Sequence, residues 1–393
     1  MLKQVFDKDQ LSKVLTPSDV WQWDVLRFYG NVQTAVDHSV KHWRSCGLVL
    51  SPLEISTAKN RPVFVPSKME DAFAIKLLDR FIRRIYKVRQ SDRNRIVRQL
   101  VTLLKDSGDY HVLRLDINNC YESISFKRLI DKFEDDLILA PECVSLLRNI
   151  HNDLSKNHNL QGLPRGLAIS PTLSELYLES LDKKIAVHAD VIYSARYVDD
   201  IVIITPTKKE NNVQRYVESV MNDMDLRLNN RAGKYYSGSS RCANFSYLGY
   251  SVSVDYKKGS ANEVTVTVCP EKIKRIKYRI AISLAEYKRD RNFSLLKKRI
   301  KYISMLKKVK KGRNGDLLAG IAHNYQYVTD GFRCLKPIDG FLCTQLESPR
   351  FGLGTIERDE IKKISIYGNA RKGSVGKFSK KQTVEIMRVW KNA

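Results

Sequence analysis

The sequence predicts an α+β protein, an antiparallel sheet with helices on one face. Three observations point there. Helical and strand-like segments intermix along the chain without the strict alternation of a βαβ repeat. Of the 393 residues, 43% are hydrophobic, enough for a sizeable core, and the length favours two or three subdomains over one body. Runs such as "VIYSARYVDDIVIIT" (191–205) are too apolar and β-branched to stay solvated, which excludes wholesale disorder.

Taken in order, residues 1–50 carry Trp21, Trp23 and Trp43 and read as a packing or partner surface without chemistry of their own. "KMEDAFAIKLLDRFIRRIYKV" (68–88) and "SDRNRIVRQLVTLLKDSG" (91–108) are expected helices. The second has Ser91 or Asp92 as its cap and Gly108 near its stop. "YHVLRLDI" (110–117) reads as a buried strand and "FKRLIDKFEDDLIL" (126–139) as a helix. A helix over 170–188 has Pro171 in its first turn. Residues 190–205 read as two strands around a charged tip, followed by a helix over 208–224. "FSYLGYSVSV" and "EVTVTV" read as hairpin strands separated by the turn-rich "DYKKGSAN".

Charge is unevenly placed. Lys plus Arg total 68 against 43 Asp plus Glu, a net of +25. Residues 1–269 hold 38 basic and 32 acidic side chains, a net of only +6. Residues 270–315 hold 17 against 3, a net of +14, and residues 361–393 hold 9 against 1, a net of +8. In the first block Ile273, Ile276, Ile280 and Leu284 recur at helical spacing, with Pro270 as a start and Gly312 and Gly315 as stops. Such a balance implies a polyanionic partner. Nucleic acid is favoured over a membrane, because no stretch approaches the roughly 20 apolar residues of a span. The opening "MLKQVFDKDQLSK" lacks the apolar core of a secretory signal, and the seven cysteines are scattered without a C-x-x-C pair. Both suggest reduced thiols in a cytoplasmic protein.

The chemistry concentrates in "RYVDDIVII". Asp199 and Asp200 sit side by side between apolar runs, and like charges at a hairpin tip repel unless a cation or a basic partner lies between them. A tight turn would also place Asp there. Asp116, at the end of "VLRLD", would by itself read as a cap. Three carboxylates on neighbouring strands, however, would make an all-oxygen site for a pair of Mg²⁺ ions. Nucleotidyl transfer needs such a site, one metal activating the attacking 3′-hydroxyl and the other steadying the leaving pyrophosphate.

At these residues the chain resembles the reverse transcriptases, over roughly residues 50–330. "LDINNCY" is similar to the first palm motif, "QGLPRGLAISPTLSELYL" to the second, "YVDD" to the third and "FSYLGY" to the primer grip, all in the family's order. The resemblance implies a right-hand polymerase. Residues 1–50 would be an extension, 51–110 fingers, 111–255 palm with inserted fingers elements, 256–330 a helical thumb that "GIAHNYQY" continues, and 331–393 a basic extension. It further implies Asp116 and Asp199 as metal ligands for two Mg²⁺ ions (Mn²⁺ as the alternative), with Asp200 and the Ile117 carbonyl in support. Tyr121 would stack beneath the incoming dNTP sugar and exclude a 2′-hydroxyl. Arg165, where the family often has Gln, Arg61 and Lys234 would serve the nucleotide, Lys234 as general acid with Arg231 nearby. Gly166, Ser170, Leu248, Gly249 and Tyr250 would contact primer and template. Lys272, Lys274, Arg275, Lys277 and Arg279 would track the duplex backbone.

No integrase, RNase H or HNH pattern is present, and "GNARKG" lacks the His of the retron signature. "SDRNRIVRQLVTLL", "YESIS" and "GLPRGLAISPTLSE" resemble bacterial defence-associated reverse transcriptases, in particular the smaller enzyme of the two-polymerase type. That resemblance implies a non-coding RNA template, an RNA/DNA duplex, a second reverse transcriptase as partner and higher-order assembly, with the tail on a folded RNA. A retron-like enzyme, an RNA-dependent RNA polymerase and a catalytically silent RNA-binding scaffold are the competing readings.

Overall fold

A computed structural model of the chain describes residues 3–58, 61–312 and 315–390. Positions 1–2 and 391–393 of the expected extensions, 59–60 of the fingers segment and 313–314 of the basic block lie outside these. The chain forms two compact units, residues 1–92 with 111–237 and residues 93–110 with 238–393.

The first unit is organised by the helix Met69–Ile85. Phe73, Leu77 and Phe81 recur every four residues and are buried, as is Ile82, while Glu70 and Asp71 in the first turn and Arg83 and Arg84 in the last match the helix dipole. A four-stranded sheet runs in the order Tyr193–Tyr197, Asp200–Pro206, Tyr110–Asp116, Tyr236–Ser239. Leu113, Leu115 and Ile203 of the sheet share one core with Phe133, Leu147, Leu181 and Val217 from the helices Phe126–Asp136, Pro141–His158, Ser170–Ala186 and Glu210–Asp223. Val112, Val202 and Ile204, at the alternate positions, are buried as well, so both faces of these strands are covered. Glu54–Ala58 and Arg61–Val65 form a separate antiparallel pair.

The second unit holds a three-stranded antiparallel sheet of Asn244–Tyr247, Tyr250–Asp255 and Glu263–Val268. "FSYLGYSVSV" is therefore two strands and not one. Tyr247 pairs with Tyr250, and Leu248 (φ 48°) and Gly249 (φ 81°) make a two-residue turn with both φ positive. That turn matches the natural twist of the strands it joins. The helix Arg93–Leu104 clusters with this unit, where Asn262 Nδ2 donates to the carbonyls of Leu104 and Asp106.

The basic block departs from a continuous helix. Pro270–Asp290 ends with Arg291 in a left-handed conformation (φ 53°), and a new helix, Phe293–Ser304, is capped by Asn292. Apolar helical spacing stops at Ile303. Beyond it the backbone pairs strand to strand, Leu306–Gly312 against Gly315–Ala319, with Val375–Gly376 added in parallel. Of "GIAHNYQY" only Ile321–Asn324 is helical. The helices Lys336–Glu347, Thr355–Lys362, Ile366–Lys372 and Lys380–Met387 complete this unit. Among the described residues no helix is long and apolar enough to cross a membrane.

Candidate active site

The strand Tyr110–Asp116 delivers its last carboxylate into the interior of the first unit, where Asp116 is only 2% exposed. A buried carboxylate needs partners, and two arrive from a segment more than a hundred residues later. Asn229 Nδ2 donates to Asp116 Oδ1 at 2.7 Å, and Lys234 Nζ lies 2.6 Å from Oδ2. The next residue, Ile117, donates its N–H to the Asp199 carbonyl at 3.0 Å, stapling this strand to the hairpin tip. Asp116, Asp199 and Asp200 each bring a carboxylate oxygen within 4.8 Å of the others.

At that tip Tyr197 pairs with Asp200, leaving Val198 and Asp199 as a two-residue loop. Val198 takes φ 60°, unusual for a β-branched residue. Arg196 holds it there: Nη1 donates to the Val198 carbonyl at 2.9 Å, while Nη2 pairs with Glu175 at 2.9 Å and Asp182 at 2.8 Å. Asp200 is oriented by Arg114, whose Nη2 donates at 2.9 Å and whose Nη1 reaches the Gly233 carbonyl at 2.8 Å. Burial, and then the charges of Asp200 and Asp116, push the Asp199 carboxyl above the usual range. Three carboxylates, met by Lys234, Asn229 and Arg114, form a hard, oxygen-only donor set that suits a divalent cation.

Beside this cluster lies the expected nucleotide side. Arg165 forms a two-point ion pair with Glu122, at 2.6 and 3.1 Å, and its guanidinium sits 5.4 Å from the Tyr121 ring centre. Burial is the largest single influence and would raise the Glu122 carboxyl, but the hydrogen bond from Arg165, a backbone hydrogen bond and the charges of Arg165 and Arg61 together hold the group below its usual range. The loop carrying Arg165 is pressed between two segments. Leu163 N–H donates to the Tyr121 carbonyl at 2.8 Å, and Phe64 N–H donates to the Arg165 carbonyl at 2.7 Å. At Gly166 (φ 102°) a β-carbon would come within 2.5 Å of the Phe64 carbonyl, so only glycine fits. Ser170 donates its hydroxyl to the Pro164 carbonyl at 2.6 Å, closing the loop onto the helix Ser170–Ala186.

The first unit thus gathers Asp116, Ile117, Asp199, Asp200 and Lys234, with Tyr121, Arg165, Gly166, Ser170 and Arg61. Leu248, Gly249, Tyr250 and the five basic residues of 272–279 belong to the second. There the Leu248 carbonyl accepts from Arg93 Nε at 3.0 Å and Nη2 at 2.5 Å, and Arg93 lies 4.9 Å from the Tyr250 ring and 5.3 Å from that of Tyr325. On the helix Pro270–Asp290, Lys274 is exposed, but Lys277 sits 5.5 Å from the Phe341 ring and Arg279 5.6 Å from that of Trp390. Arg279 is half-buried, which differs from the free surface cation that the sequence suggests. Sequence reasoning missed Glu122, Arg114, Asn229, Arg196 and Arg93. The only advance signal was adjacency, Arg196 and Glu122 standing beside motif residues and Asn229 in "LRLNN".

Residues 58–252 match the family model described as reverse transcriptase (RNA-dependent DNA polymerase). No curated protein matches the chain. Among solved structures, apo telomerase from Candida tropicalis, truncated from its C-terminal domain, is similar with a TM-score of 0.37 and 12% identity over 56% of this chain. The chain covers 59% of that telomerase chain.

Proposed function

We propose that the chain is an RNA-directed DNA polymerase of the reverse transcriptase family, whose model residues 58–252 match, and that its residues divide the work as follows. Asp116 and Asp199, with Asp200 and the Ile117 carbonyl, would hold two Mg²⁺ ions, Mn²⁺ substituting. The bound ions would activate the primer 3′-hydroxyl and steady the departing pyrophosphate. Arg114 keeps Asp200 in place. Lys234, bonded to Asp116 at 2.6 Å, would give a proton to the leaving group. Tyr121 lies under the dNTP sugar and leaves no room for a 2′-hydroxyl. Arg165 and Arg61 meet the nucleotide, and Gly166 and Ser170 shape the loop that receives the template base. Residues 51–110 act as fingers, 111–255 as palm and 256–330 as thumb. Within the last two, Leu248, Gly249 and Tyr250 hold the primer end, and Lys272, Lys274, Arg275 and Lys277 follow the duplex backbone.

The observation that carries this reading is the meeting of three aspartates, one from a strand end and two from a hairpin tip, within 4.8 Å. In primer extension on an RNA template with dNTPs, Asp199→Asn should abolish synthesis and leave RNA binding intact. Synthesis retained in that variant, or rNTPs used as readily as dNTPs by the parent, would overturn it. The finer reading is a bacterial antiphage enzyme templated by its own non-coding RNA and working with a second reverse transcriptase. It is supported by the likeness of "SDRNRIVRQLVTLL" and "GLPRGLAISPTLSE" to that group. Sequencing the nucleic acid that copurifies with the chain tests it; random cellular RNA would sink it.

A further inference from the structure

The second unit contains a cavity of about 400 Å³ between the helices Phe293–Ser304, Thr355–Lys362 and Ile366–Lys372. We propose that it is a pocket for one unstacked nucleotide of a single-stranded RNA, gripped by its phosphate. The inference rests on nucleic acid being the chain's partner and adds a contact that the polymerase reading does not use.

The two strongly basic stretches of the sequence meet here. Lys297 and Lys301, one turn apart, come from the 270–315 block, and Lys363 comes from the 361–393 tail. Glu360 is the single acid in the lining, and Lys297 pairs with it at 2.5 Å. The carboxyl of Glu360 is held below its usual range by that hydrogen bond first, with Lys363 and Lys301 contributing through their charges. Three ammonium groups against one carboxylate leave an excess of two positive charges. Lys301 and Lys363 make no ion pair of their own among the described residues. A phosphodiester carries one negative charge per nucleotide, which this excess accommodates.

The rest of the lining suits a base. Met305 and Ile364, the latter 7% exposed, give an apolar wall. Asn369, from the "GNARKG" segment left without a role, donates Nδ2 to Ser304 Oγ at 3.0 Å and keeps its Oδ1 for another donor. A base can enter a cavity only when it is out of its helix, as in the recognition of single-stranded RNA. The lysines around the rim extend the positive field along a strand, which favours a polynucleotide over a free nucleotide.

The test uses the full chain and a fluorescein-labelled 12-nucleotide single-stranded RNA, with binding followed by anisotropy across salt concentrations. Lys301→Gln/Lys363→Gln should bind several-fold more weakly, with the log–log salt slope reduced by about 0.7, as for one lost phosphate contact on single-stranded RNA. Extension of a pre-annealed primer should stay within about twofold, and thermal stability should be unchanged. Asp199→Asn should bind this RNA like the parent, which separates failure of the pocket from failure of the catalytic assignment. Cross-linking of 4-thiouridine RNA should map to the peptides bearing Met305 or Ile364. An unchanged slope, or cross-links confined to other peptides, would overturn the proposal. So would joint loss of binding and extension at unaltered stability, which would assign the lysines to the primer duplex. Stabilisation by millimolar inorganic phosphate without any effect of the variant on RNA binding would assign the cavity to a free anion instead.

Discussion

Two hairpin tips, one in each unit, solve the same problem differently. The loop Val198–Asp199 and the turn Leu248–Gly249 each put a non-glycine residue at positive φ, 60° and 48°. In each, an arginine donates to the carbonyl of that residue, Arg196 to Val198 and Arg93 to Leu248. Arg196 is buried and neutralised by Glu175 and Asp182. Arg93 has no carboxylate partner among the described residues and lies against two tyrosine faces, its Nη1 donating to the Asn324 carbonyl at 2.6 Å. The difference follows from what each tip carries. A cation free to move beside Asp199 would compete for the carboxylates, so Arg196 is committed to acids of its own. At a tip assigned to a polyanionic primer an acid would repel the ligand, and aromatic rings hold the cation without cancelling its charge.

Substitutions at the two tips should separate the devices. Arg196→Met strands Glu175 and Asp182 and should cost about 3 kcal/mol in chemical denaturation, with primer extension falling more than RNA binding. A loss below a third of that would mean that the two acids rearrange freely. Arg93→Ala should cost about 2 kcal/mol from two carbonyl contacts and the stacked rings. It should raise KM for primer–template while leaving that for dNTP unchanged, and Arg93→Lys should restore only part, because a lysine cannot serve two carbonyls from one plane. Equal effects on both KM values would remove the distinction between the tips. The smallest effect is expected at Val198→Gly, which relieves the positive φ and should stabilise the fold by up to about 1 kcal/mol while slowing extension, because the carboxylate loop loses its rigidity. Unchanged stability would mean that the strain is already relieved by Arg196.

Much of the fold was legible because its signals are local. The spacing of Phe73, Leu77 and Phe81, the Pro171 start and the apolar strand before Asp116 each declare themselves within a dozen residues. The basic block misled because lysines satisfy a helical face and an exposed strand equally well. Its apolar spacing runs out at Ile303, and the pairing of Lys307 with Ala319 and Lys308 with Leu318 then decides the structure. The turn inside "FSYLGY" was hidden because Leu248 is not a residue that announces positive φ.

By itself the sequence determined the carboxylates, their order among the motifs and the split of charge between a balanced first part and two basic blocks. The charge split is a property of composition, and the motif order rests on the resemblance of short segments to a known family. Only the tertiary structure decided that Lys234 and Asn229 serve Asp116, that Glu122 holds Arg165, that Arg196 and Arg93 secure the two tips, and that lysines from both blocks line one cavity. Most of these partners lie tens to hundreds of residues apart, and an ion pair or hydrogen bond made through space leaves no periodic trace in the chain that forms it.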